Sequence, residues 1–122
     1  MKKFIFVTFQ KEGIHSYPEA PDVVAYLRHP HRHMFHFKVT MEVFHDDREV
    51  EFIMFKHEME SLYRNESESL FIDQPLQLNN MSCEMLAVNL GKYIEDHYPQ
   101  RSYRIEVSED GENGALIESE WK

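Results

Sequence analysis

Cysteine is almost missing from this chain: Cys83 is the only one. No disulfide can form within the chain, and a reducing compartment, the cytoplasm, is the expected location. Long hydrophobic runs are missing as well. The N-terminal apolar stretch, Phe4 to Phe9, is far shorter than the ~20 residues of a membrane span, and no small-residue cleavage site follows it. Neither a membrane partner nor a signal peptide is expected. Basic residues are scarce, 13 Lys and Arg against 22 Asp and Glu, for a formal net charge of −9. That balance excludes a nucleic-acid partner, which needs cations opposite phosphates. A small anionic ligand requires only a few local donors and stays open. Repeats, low-complexity tracts and linkers are also absent, which leaves a single domain over residues 1–122.

What is present is a globular composition, 42% apolar and 13% aromatic, enough for a packed core. Lys3 to Gln10 is β-branched and aromatic, and predicts a strand buried on both faces or at an oligomer contact. Residues 11–30 read as a long connection with a helical turn around Asp22 to Leu27. From His33 to Phe44 apolar and polar residues alternate, the pattern of a long strand with one apolar face. After a turn at 45–49, Val50 to Phe52 reads as a short extended piece. Phe55, Met59, Leu62 and Tyr63 then predict a helix over roughly 54–64. Residues 65–81 read as irregular. Ser82 is placed as an N-cap, and Leu86, Leu90, Tyr93, Ile94 and His97 form one helical stripe that Pro99 ends. Tyr103–Val107 and Ala115–Trp121 predict a hairpin around the Asp-Gly and Asn-Gly signals of residues 108–114. Helices grouped within an antiparallel sheet make an α+β fold.

Histidine is the compositional anomaly. Of eight, five fall in a short stretch: His15, His29, His31, His33 and His36. His31 and His33 enter the long strand at i and i+2, so their imidazoles share a face and can converge on one ion. A third ligand must come from elsewhere, and His15 follows the first strand. Three imidazoles with an open fourth position describe a catalytic type of zinc site. His36 faces the other way. His29 could serve as a ligand, as a partner of a ligand or as a general base near neutral pH. His45, His57 and His97 read as surface residues.

Four motifs in order resemble the 6-pyruvoyl-tetrahydropterin synthase and 6-carboxytetrahydropterin synthase family. They are His31-Arg32-His33 with its alternating strand, Val50-Glu51-Phe52-Ile53-Met54-Phe55-Lys56, Met81-Ser82-Cys83-Glu84-Met85-Leu86-Ala87, and Arg104-Ile105-Glu106-Val107-Ser108-Glu109. The resemblance implies a tunnelling fold, ββααββ, with an antiparallel sheet and two helices on one face. Such subunits would form a homo-oligomeric barrel, a trimer-based ring that closes as a tetramer or hexamer. It also implies zinc on His15, His31 and His33, and a substrate-binding role for Glu109, which matches the carboxylate that pairs with the guanidine-like edge of a pterin or purine.

The chain departs from the family at three points. Leu27 stands where the family has its catalytic cysteine. No Asp–His pair appears in residues 66–80, where Asp73 has no histidine after it. Arg32 replaces the glycine between the two histidines. An enzyme of this kind, a lyase acting on a dihydroneopterin-triphosphate-type substrate, would need another base, and His29 with Glu12 behind it is the expected choice. The alternative is a non-catalytic binding module for a purine- or pterin-like nucleotide, with Arg32 suited to a phosphate. A metal-free scaffold with incidental histidines is the third expectation.

Overall fold

A computed structural model describes residues 1–63 and 75–122. Its element order is β1 (Lys3–His15), a 3-10 segment (Asp22–Arg28), β2 (His31–Val43), α1 (Phe52–Ser61), β3 (Leu76–Asn79), α2 (Cys83–His97), β4 (Tyr103–Glu109) and β5 (Asn113–Ser119). The five strands make one sheet in the order β3-β1-β2-β4-β5. β1, β2, β4 and β5 pair antiparallel, and β3 runs parallel to β1 at the edge. The α+β class therefore holds, with the expected antiparallel sheet corrected to a mixed one.

Alternation along the strands sends Val7, Phe9, Phe35, Phe37, Val39, Met41, Ile105 and Val107 to one face, where all are buried. Phe55 and Met59 of α1 and Leu86, Leu90 and Ile94 of α2 close over them. Both helices thus lie on one face of the sheet, α1 over β1 and α2 over β4 and β5. The opposite face carries no helix among the described residues. On it Phe4 and Phe6 are 47% and 61% exposed, so within this chain β1 buries one face rather than two.

Local chemistry explains the other departures from expectation. The piece around Val50 to Phe52 does not extend as a strand. The Glu51 carboxylate accepts from the backbone N–H groups of Ile53 and Met54, which caps α1 and starts the helix at Phe52. Ser82 caps α2 as expected, its hydroxyl accepting from Met85 N–H at 3.2 Å. β1 continues to His15 because each of its residues finds a partner on β2, ending with Gly13 opposite His33 and His15 opposite His31. β3 has only four residues, with Leu76 and Leu78 turned inward. The part of the irregular stretch that spans 64–74, Asp73 included, lies outside the described residues.

Candidate metal centre

The last rungs of the β1–β2 ladder set the site. Residues paired across antiparallel strands share a face, so His15, His31 and His33 all project on the helix-covered side. Ring centroids are 4.6 Å apart for His15 and His31, 5.0 Å for His31 and His33, and 5.4 Å for His15 and His33. One ligand atom from each lies within 4.8 Å of the others. Phe35, fully buried, forms the floor, its ring centroid 5.1 Å from that of His15. Gly13 makes this approach feasible: a Cβ there would stand 2.7 Å from Leu78 Cδ1 and 3.0 Å from the Phe35 ring.

Each imidazole is held by its Nδ1. His15 Nδ1 donates to the Met81 carbonyl at 2.8 Å, His31 Nδ1 to the His29 carbonyl at 2.9 Å, and His33 Nδ1 to Asp110 Oδ2 at 2.7 Å. Acceptors at all three positions fix the proton on Nδ1 and turn Nε2 toward the centre, the arrangement that metal-bound histidines use. The supports come from backbone geometry. At the end of β3, Asn79 has φ 56°, its carbonyl accepts from Ser16 N–H at 2.8 Å, and Met81 N–H donates to the Leu78 carbonyl at 3.0 Å. That reversal presents the Met81 carbonyl. Asp110 (φ 56°) and Gly111 (φ 71°) are the central residues of a turn within the three-residue β4–β5 connection, closed by Glu112 N–H to Glu109 O at 3.0 Å. The turn aims the Asp110 carboxylate at His33 and at Met34 N–H, 2.9 Å away. The Met34 N–H bond, with the His33 bond second, holds the Asp110 carboxyl below its usual range.

Glu109 completes the cluster. Its Oε1 is 3.3 Å from His15 Nε2 and its Oε2 3.2 Å from His33 Nε2, with 30% of the side chain exposed. Neither Nε2 has a hydrogen-bond partner, although both are buried. The distances are short but the ring N–H geometry is wrong for donation. With the proton on Nδ1, two ring nitrogens and two carboxylate oxygens crowd together with no hydrogen bond between them, an arrangement that a cation bound by both sets of atoms would relieve. Three imidazoles and a carboxylate form a donor set that suits a divalent transition metal, zinc included. The residues present fit a metal ion.

A cleft of about 540 Å³ opens beside the cluster, lined among others by His15, His31, Tyr17, Leu27, Cys83 and Glu109. Burial, then the charges of Glu109 and Glu84, push the Cys83 thiol up to about 11, so near neutral pH it is a protonated wall residue and not a nucleophile. A second cavity, about 520 Å³ along Thr8, His36, Lys38 and Glu106, has no such cluster among the described residues.

The predicted site residues are placed unequally. His15, His31, His33 and Glu109 come together. Arg32 and Glu12 lie on the opposite face of the sheet, where Arg32 Nε meets Glu12 Oε1 at 2.8 Å. His29 is exposed and meets the cluster through its carbonyl oxygen, which accepts from His31. His36 lines the other cavity, and His45, His57 and His97 are exposed. Sequence reasoning missed Asp110, read only as a turn residue, and the two carbonyls, which no side-chain pattern could announce. Compared with known protein families and with curated proteins, the chain matches none. No helix among the described residues is long and apolar enough to cross a membrane.

Proposed function

We propose that this chain is a zinc-dependent protein of the pterin-synthase kind, acting on a dihydroneopterin-triphosphate-type substrate. One observation carries the reading: three imidazoles with Nδ1 tied back and Nε2 turned inward converge beside a cleft that His15, His31 and Glu109 line. Zinc on these residues would act as a Lewis acid toward side-chain oxygens of the substrate and acidify the neighbouring C–H bonds. Asp110, Met81 and His29 keep the rings oriented. Glu109 offers two oxygens to the ring N–H and exocyclic amino group of a pterin. Tyr17 and Leu27 supply cleft wall against which a flat heterocycle packs. The cytoplasm suits a chain with one buried free thiol. A homo-oligomeric ring suits the free edge of β1, since β3 covers only Gly13–His15 among the described residues.

A specific observation favours a second reading, a binding module that returns its ligand unchanged. Leu27 lines the cleft where the family has its cysteine, the Cys83 thiol is held protonated, and neither His29 nor Glu12 is among the residues lining the cleft. Metal analysis of the purified protein beside His31→Ala tests both readings. About one zinc per chain in the native protein, lost in the variant, is expected. Turnover of dihydroneopterin triphosphate then selects the synthase, and intact ligand selects the binding module. A native protein that takes up no zinc on reconstitution overturns the assignment.

A further inference from the structure

Glu109 stands closer to the histidines than an anchor for a distant heterocycle requires. On a four-coordinate ion with bonds of about 2.0–2.1 Å, neighbouring donors are separated by roughly 3.3–3.4 Å. The Glu109 oxygens lie 3.3 Å from His15 Nε2 and 3.2 Å from His33 Nε2, the spacing of donors sharing one ion toward two of the three imidazoles, while the mutually close ligand atoms are those of the histidines alone. A charged hydrogen bond would put a ring N–H on the carboxylate, yet both Nε2 atoms lack that bond. The hairpin fixes the approach. Glu109 is the last residue of β4, paired with Phe35, and the turn beginning at Asp110 is clamped to β2 through Met34 and His33.

We infer that Glu109 is the fourth metal ligand of the resting protein, closing the site until an incoming ligand displaces its carboxylate. The inference rests on the three-histidine metal reading above and gives that site a gate. In the closed state three imidazoles and a carboxylate leave no open position, the arrangement of a storage or structural site. In the open state the carboxylate has left the ion and is free to accept the paired N–H groups of a pterin or purine edge, so one residue would couple metal exposure to ligand recognition. Free anions would be kept off the metal, and only a ligand that supplies both an oxygen donor and a guanidine-like edge would compensate for the lost carboxylate. This selectivity comes from what the ligand replaces, not from the size of the cleft.

Cobalt(II) loading tests the inference, with azide as a probe of an open metal position. The visible spectrum of the native cobalt protein is expected to stay unchanged in millimolar azide. In Glu109→Ala the spectrum should respond, with azide affinity raised at least about tenfold and metal affinity lowered by at least about 10- to 100-fold. Glu109→Gln keeps the shape of the side chain and should respond in the same direction, which covers a poorly folded alanine variant. A native protein that takes azide as readily as the variants overturns the fourth-ligand role and leaves the histidine site standing. A folded native protein that binds neither cobalt nor zinc overturns the metal reading, and the gate with it.

Discussion

Two carboxylates in this molecule each sit between two ring side chains, with opposite results. Glu58 on α1 accepts the hydroxyls of Tyr93 and Tyr98, both at 2.5 Å. Every group there has its partner, and the hydrogen bond to Glu58 pushes the Tyr93 hydroxyl up to about 12, burial adding to it. Glu109 faces His15 Nε2 at 3.3 Å and His33 Nε2 at 3.2 Å, and neither contact is a hydrogen bond. The first arrangement is complete as a piece of protein structure. The second makes chemical sense with a cation at its centre. Satisfied polar groups hold a fold together, while buried ring nitrogens left beside a carboxylate without a hydrogen bond are costly unless something else enters.

The largest effect expected on this contrast comes from Glu58→Ala. It strips two charge-assisted hydrogen bonds from a partly exposed cluster and should cost about 2–3 kcal/mol of stability, read by urea unfolding, with zinc content unchanged. Loss of zinc in that variant would mean that the two carboxylate clusters are not independent. Asp110→Ala should do the reverse. Losing the acceptor on His33 Nδ1 should weaken zinc by about 10- to 100-fold, measured by chelator competition, and any stability loss should be confined to the hairpin turn. Unchanged zinc affinity would show that the His33–Asp110 bond does not orient the ligand.

The smallest effect concerns a third carboxylate, Glu49, whose Oε2 meets Arg101 Nη2 at 2.6 Å with side chains 19% and 12% exposed. That bond lowers the Glu49 pKa below the usual glutamate value of 4.5. A depressed folded-state value means the contribution is complete above 4.5 and is lost as the pH falls through the lowered value. Glu49→Gln should therefore flatten the acid side of the stability profile and leave the neutral side less stable than native. Parallel profiles for the two proteins would remove Glu49 from the acid response.

How much of this could be read in the sequence depended on the range of the interaction. The alternation of β2 is local, so the strand, its buried face and the shared side of His31 and His33 were all legible from residues two apart. His15 was legible only as a candidate. Its place opposite His31 follows from a register that runs the whole length of β1, while the apolar pattern of that strand stops near Gln10. β3 escaped because four residues after a proline carry too little pattern, and its parallel pairing is decided by distant contacts. Asp110 escaped for a different reason. Its sequence context announces a turn, and the turn is there, but nothing nearby in the chain says that the turn folds onto His33. The Glu12–Arg32 pair shows the converse limit of local reading. Adjacency to a ligand in sequence places a strand residue on the opposite face, and both residues followed that geometry away from the cleft.

The pairing of His15 with His31 on the last rung of the β1–β2 ladder also bears on the chain's freedom to open. Residues 16–30 leave the sheet and return at that rung, so an ion bound there cross-links the two ends of the loop as a reversible staple. Loop-closure entropy makes such a clip act chiefly on states in which the ladder has frayed. With metal bound, the ligand-bearing end of the sheet becomes a lock, and slow amide exchange in Ile14, His15 and Arg32 would be its signature.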